Sequence, residues 1–174
     1  MTYDPIPYWQ ERGHTYRADF RPDRYRRQET ELARVLKGLQ FDSVLDVGCG
    51  FGRIYGLLPK RVRYVGIDVS GAMLATHIGR GLPWVSLVET ALRDYRASGK
   101  FDLVIAVEML MHVPPGDVQA AVRKLDRLSA RAIVTCDWTT PVPRPAPHNF
   151  LHDYSGMGGR KIPVGLQTIR VIEK

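Results

Sequence analysis

Only two cysteines, Cys49 and Cys136, occur in 174 residues. That is too few for a disulfide framework, and reduced thiols are expected at both. No apolar run approaches the roughly eighteen residues of a membrane span. The chain opens on polar and aromatic residues and lacks the basic, then apolar, pattern of an export signal. Membrane and secreted classes are set aside on these grounds, and a cytoplasmic location is expected. Long polybasic runs are missing as well, despite a formal net charge of +7. From Arg12 to Arg34 the arginines are interleaved with Glu11, Asp19, Asp23, Glu29 and Glu31, as on a solvated helix with local ion pairs. There is no RNA-binding module signature and no basic stretch interleaved with aromatics, so a nucleic-acid partner is not expected. The nearest approach to a metal-ligand set is His148, His152 and Asp153, but the prolines around it leave no periodic helix to present them together. No metal is expected.

What is present is the composition of one compact globular domain, 44% hydrophobic and 25% charged. Its organising stretch is Val44 to Arg53, Val-Leu-Asp-Val-Gly-Cys-Gly-Phe-Gly-Arg, where an apolar run meets three alternate glycines. Val44, Leu45 and Val47 suit a central parallel strand covered on both faces. Gly48, Gly50 and Gly52 then give a turn without Cβ atoms, against which a ligand can lie and a following helix can start. A second apolar run, Tyr64 to Ile67, ends in Asp68, about twenty residues beyond the glycines. A doubly wound fold places the acid that binds ribose hydroxyls there, which points to a nucleoside cofactor. Dinucleotide binding would prefer G-x-G-x-x-G. Here the glycines run G-x-G-x-G, with Arg53 where the last small residue should stand, so a pyrophosphate fits less well.

Further along, Ser70 reads as the N-cap of a helix through Ile78, Trp84 to Val88 as a strand, and Phe101 to Val107 as a strand carrying Glu108 at its carboxyl end, where open α/β sheets hold ligands. A helix from Asp117, a strand over Ala132 to Cys136 and a last strand over Leu166 to Ile172 complete the core, the last one antiparallel at the sheet's edge. Residues Tyr3 to Phe20 are too broken by proline for a long helix, and a short one over Pro7 to Gly13 is expected. From Pro22 to Gly38 the spacing predicts a helix.

Three motifs in order, VLDVGCGFGR, YVGIDVSGAML and FDLVIAVEMLMHV, resemble the class I S-adenosylmethionine-dependent methyltransferases of small-molecule type, over roughly Ser43 to Trp138. The resemblance implies an α/β, Rossmann-like doubly wound sheet, mostly parallel with an antiparallel last strand and helices on both faces. It implies S-adenosylmethionine across the carboxyl ends of the first strands. One domain is expected over 1–174: an N-terminal lid or helical segment at 1–40, a cofactor-binding core at 43–138, and a substrate-side loop and final strand at 139–174. On this likeness Asp46 takes the methionine end, Gly48, Cys49 and Gly50 supply close backbone approach, Asp68 takes the ribose, Val69 flanks the adenine, and Met73 either flanks it too or fills the core. Glu108 forms part of the cofactor wall. The family's usual adenine-binding acid falls on Thr90, with Ala91 beside it and Glu89 one place early. Either the register slips by one or a hydroxyl substitutes for the acid. Asp94 is a further candidate, read first as a capping or solvent-exposed residue beside Arg93 and Arg96.

For the methyl acceptor the sequence offers His112, His148, His152 and Tyr16 as candidate catalytic groups. His112 is a candidate general base, but a structural hydrogen bond in its strand-to-helix turn explains a histidine there more simply. Trp9 is read first as cover for a flank of the sheet. The Asn/Asp-Pro-Pro-aromatic tetrad needed for methylating an exocyclic base nitrogen is lacking. The expected reaction moves a methyl group to oxygen or nitrogen, and less readily to carbon, of a small metabolite. The expected protein is a monomer or a homodimer. The alternatives are a catalytically silent nucleoside-binding partner or regulatory subunit of the same fold, or an RNA methyltransferase.

Overall fold

The structure is a computed structural model that describes residues 4–141 and 146–174. Seven strands form one sheet: β1 (Ser43–Val47), β2 (Arg63–Asp68), β3 (Val85–Glu89), β4 (Phe101–Val107), β5 (Ser129–Trp138), β6 (Arg160–Val164) and β7 (Gln167–Glu173). Their order is β3-β2-β1-β4-β5-β7-β6, parallel from β3 to β5 and antiparallel at β7 and β6. Every residue of β1 is buried, as a strand with neighbours on both edges and layers on both faces must be.

Side-chain alternation divides the core in two. On one face Val44, Tyr64, Leu103, Ile105 and Val134 pack with Leu32, Val35 and Leu36 of helix α2 (Arg26–Gly38). On the other, Leu45, Val47, Val104 and Ala106 pack with Val118 and Leu125 of a later helix (Val118–Leu128). The expected sheet with helices on both faces is therefore present. The connection from β3 to β4 has turns only, without a helix.

Several sequence expectations are corrected. A 15-residue helix α1 covers Pro5–Asp19, capped by the Asp4 carboxylate accepting from the Ile6 N–H at 3.0 Å. Pro5 and Pro7 fall in its first turn, where backbone N–H groups have no intrahelical partner, so proline does not break it. The Pro22 to Gly38 stretch divides into a 3-10 turn (Pro22–Arg24) and α2. Helix α3 is shorter than expected, Gly71–Ala75, and the helix at Val118–Leu128 is α4. β7 is not the edge: β6, with Pro163 in it, pairs along its outer side. An outermost strand can carry a proline because one edge needs no ladder bonds. The proline-rich stretch Thr139 to Pro147, expected from the sequence to be a surface connector, lies partly outside the described residues.

Candidate active site

Chain connections from β1 and β4 depart to opposite sides of the sheet, which opens a crevice beyond their carboxyl ends. That crevice belongs to a cavity of about 1380 Å³, larger than the roughly 300–1,000 Å³ of a single small-ligand pocket. Two small molecules can lie in it side by side.

The glycine loop forms one wall. Gly48 and Cys49 donate their N–H groups to the Ile67 carbonyl at 2.8 and 3.1 Å, which pins the loop to β2. Gly48 is in the left-handed region at φ +73°, and a Cβ there would stand 2.9 Å from Met109 Cγ. Only glycine satisfies both constraints. Gly50 donates its N–H to Asp68 Oδ2 at 2.9 Å, while Asp68 Oδ1 accepts from Ser70 N–H at 2.9 Å. One carboxylate at the tip of β2 thus ties the loop to the start of α3. Burial raises the Asp68 pKa, and the amides of Ser70, Gly50 and Val69 oppose that shift.

Asp46, 2% exposed, is the penultimate residue of β1, near its carboxyl end. Burial pushes its pKa up to about 7, against the hydrogen bond from Tyr64 and the charge of Arg53. The Tyr64 hydroxyl donates to Asp46 Oδ2 at 2.8 Å.

At the end of β4, Glu108 holds φ +54°, a strained conformation for a residue with a side chain. Its neighbours secure it there. The Glu108 N–H donates to the Cys136 carbonyl at 2.7 Å, Gln167 Nε2 donates to Oε1 at 2.6 Å, and Arg53 Nη2 bonds Oε2 at 3.0 Å. Arg53 also reaches Gln28 Oε1 at 2.6 Å and Glu29 at 3.3 Å, with its guanidinium 4.5 Å from the centre of the Tyr25 ring. This network joins α2, the glycine loop, β4 and β7. Sequence reading gave no role to Arg53, Gln28 or Gln167. A usable signal existed in Gln28, a glutamine in phase with the buried Leu32, Val35 and Leu36.

The wall opposite is aromatic. Trp9 of α1 lies edge-on to His112 with ring centres 4.7 Å apart, and meets Tyr16 at 5.7 Å. His112 Nδ1 lies 2.9 Å from the His148 carbonyl. A carbonyl only accepts, so the ring carries its proton on Nδ1 and leaves the Nε2 lone pair open. Burial lowers the His112 pKa to about 4, so the imidazole is neutral at physiological pH. His148 stacks on Tyr8 with ring centres 4.3 Å apart, and burial lowers its pKa too. Tyr16 is raised well beyond the usual phenol range, chiefly by burial.

The ten residues singled out around the cofactor motifs all line this cavity: Asp46, Gly48, Cys49, Gly50, Asp68, Val69, Met73, Thr90, Ala91 and Glu108. Tyr16, His112 and His148 line it as well, and so does Trp9, which was read as flank cover. His152 is the correction. It lies outside the cavity, with Nε2 3.0 Å from the Val113 carbonyl, and serves as a prop beneath the turn that carries His112. The rest of its cluster also disperses: Asp153 accepts from the Ser155 N–H on the surface, and Tyr154 is buried against Arg170. Glu89 turns away from the cavity and lies against Gly71, and Asp94 pairs with Arg93 on the surface. Of the residues considered at this position, Thr90 and Ala91 line the cavity. Cys49 and Cys136 are free and buried, with thiol pKa values pushed up by burial. Among the described residues no group of three histidine, cysteine or acidic side chains could hold a metal, and no helix is long and apolar enough to cross a membrane.

A glycine loop tied to a strand-tip carboxylate at the switch point of a parallel sheet defines a nucleoside-binding, Rossmann-like α/β domain. A family model described as a methyltransferase domain matches residues 44–131, half of the chain, and the chain belongs to that family. It is 35% identical over 105 residues to a ubiquinone biosynthesis O-methyltransferase of Alkalilimnicola ehrlichii, covering 56% of this chain and 41% of that protein. The protein of the same name from Thiobacillus denitrificans is 38% identical over 93 residues, 47% of this chain and 38% of the relative. The chain thus spans about two fifths of the length of these curated relatives. In fold it is similar to magnesium protoporphyrin IX methyltransferase from Synechocystis PCC 6803 with bound SAM, at TM-score 0.69 and 16% identity over 98% of this chain and 96% of that one. It is also similar to the N-methyltransferase NodS from Bradyrhizobium japonicum WM9 in complex with S-adenosylhomocysteine, at TM-score 0.65 and 21% identity over 79% and 74% of the two chains.

Proposed function

We propose that this protein transfers the methyl group of S-adenosylmethionine to an oxygen atom of a small-molecule acceptor. The observation that carries the reading is the Asp68 carboxylate bonded to the Gly50 amide at 2.9 Å, beside a second buried acid, Asp46, in one cavity. The residues fit the cofactor. Asp68 keeps lone pairs for the two ribose hydroxyls, and Asp46 offers a carboxylate to the α-ammonium. Val69, Met73, Thr90 and Ala91 offer an apolar slot with carbonyls and one hydroxyl for the adenine, and the loop at Gly48 presents backbone without Cβ atoms. The names of the curated relatives support oxygen as the atom methylated.

The bound cofactor supplies an electrophilic methyl on a sulfonium that is already a good leaving group. The protein's part is orientation, water exclusion and handling of one proton. Trp9 and Tyr16 close the cavity from α1. His112, neutral and fixed in its tautomer by the His148 carbonyl, offers Nε2 to an acceptor hydroxyl. Arg24 and Arg27 line the same cavity, are exposed, and have no ion pair among the described residues. They favour an acceptor that carries an acidic group.

Isothermal titration with S-adenosylhomocysteine, followed by transfer of radiolabel from the cofactor to a metabolite extract, tests the proposal. Binding and transfer are expected together. Binding without transfer would leave a nucleoside-binding protein, and no binding at all would end the reading.

A further inference from the structure

Behind the Tyr64 hydroxyl that bonds Asp46 stands His77, a residue outside all three sequence motifs. His77, just beyond α3, accepts the Gly79 N–H on its Nδ1 at 3.0 Å. A neutral imidazole that accepts at Nδ1 carries its proton on Nε2, and Nε2 lies 3.3 Å from the Tyr64 hydroxyl. The hydroxyl, taking that proton's bond on its oxygen, donates its own hydrogen to Asp46 Oδ2 at 2.8 Å. The chain runs one way, from the Gly79 amide through His77 and Tyr64 to the carboxylate. All three side chains are buried, with 4%, 1% and 2% of His77, Tyr64 and Asp46 exposed. Asp46 Oδ1 has no partner among the described residues, and Asp46 lines the cavity. His77 also braces the glycine loop, because a Cβ on Gly52 would stand 2.8 Å from its Nε2.

We propose that Tyr64 and His77 are positioning residues that hold Asp46 as an acceptor with Oδ1 turned into the cavity, and so make binding of the cofactor's α-ammonium depend on pH. The inference rests on the cofactor reading above. The other ionisable groups facing Asp46 are Asp68 from β2, with Cys49 and Arg53 from the loop; its β4 neighbour Ile105 is apolar. Asp68 opposes ionisation of Asp46, and Arg53 and the Tyr64 hydrogen bond favour it. Burial lowers the His77 pKa to about 4, so His77 remains the neutral donor across the working range and the titrating group is Asp46. A protonated Asp46 cannot pair with an ammonium. Affinity must therefore fall as pH drops through the Asp46 titration, and loss of the Tyr64 hydroxyl moves that titration upward.

The test is titration of S-adenosylhomocysteine and of adenosine, which lacks the amino-acid end, between pH 6 and 8.5 for wild type, Tyr64→Phe and His77→Gln. For Tyr64→Phe the expected result is about fivefold weaker S-adenosylhomocysteine binding at pH 7, because less Asp46 is ionised there without the hydrogen bond. Its affinity–pH midpoint should rise by about one unit, with adenosine affinity unchanged. His77→Gln should shift in the same direction by less, and it carries the test if Tyr64→Phe does not fold. A loss equal at every pH, or an equal loss for adenosine, overturns the positioning role and leaves the cofactor reading intact. A wild-type protein that binds neither molecule overturns both.

Discussion

Replacing Asp68 by alanine separates the two tasks that one carboxylate performs. In the free protein its oxygens accept the Gly50 and Ser70 N–H groups, each at 2.9 Å. Removal leaves two amides without their acceptor, and water reaching them from the open cavity limits the cost to about 1–2 kcal/mol of stability. With cofactor bound, the same carboxylate would accept from the ribose hydroxyls. Hydrogen bonds to a charged acceptor are worth about 1.5–3 kcal/mol, so affinity for S-adenosylhomocysteine should fall roughly 10- to 150-fold. The assay is isothermal titration at 15 °C, with circular dichroism at the same temperature to establish that the variant is folded. Asp68→Asn should be intermediate, because the amide keeps one acceptor but turns an N–H donor toward another donor. A folded Asp68→Ala protein that binds within twofold of wild type would refute the assignment of this carboxylate to the ribose.

His112→Asn keeps a donor for the His148 carbonyl but removes the Nε2 lone pair; transfer should slow by about 10²-fold with cofactor affinity unchanged. An unchanged turnover rate would mean that placement alone drives the reaction. Asp137 sits near the end of β5 with Oδ1 accepting the Met111 N–H at 3.0 Å and Oδ2 without a hydrogen-bond partner among the described residues, and burial pushes its pKa up to about 7. A native pKa above the unfolded value means that stability is lost as pH rises from about 4 to 7. The advantage of Asp137→Asn in urea unfolding should therefore grow by about 1.4 kcal/mol per pH unit in that window and level off above it. A difference constant with pH would contradict the shift. Gly13 of α1 faces Ser70, where any Cβ would collide with the serine side chain that caps α3. Gly13→Ala should cost about 1–3 kcal/mol of docking. Limited proteolysis would read this as faster cleavage within Pro5–Asp19, the unfolding midpoint of the sheet changing little.

The strands at Val44, Tyr64 and Phe101 were legible because a buried parallel strand is mostly apolar even where a single acid such as Asp46 or Asp102 interrupts it, and the glycines and Asp68 because turn chemistry and spacing are local properties. The family resemblance, and not any local signal, pointed to Val69, Thr90 and Ala91, and the structure places all three in the lining of the cavity. Local reading failed where proline was taken at face value. Pro5 and Pro7 are harmless in a first turn, a fact set by position within the element that composition does not reveal.

The sequence by itself determined the sheet's central strands, the bare loop and the acid at the tip of β2, since each follows from residue type and near neighbours. Only the tertiary structure decided which histidines face the cavity, because His112, His148 and His152 have the same chemistry and differ in which carbonyl lies opposite. It alone joined Gln28, Arg53, Glu108 and Gln167, residues 25 to 139 positions apart along the pairs that touch. Contacts over such separations depend on strand order and on the faces of helices, and no short-range pattern encodes them.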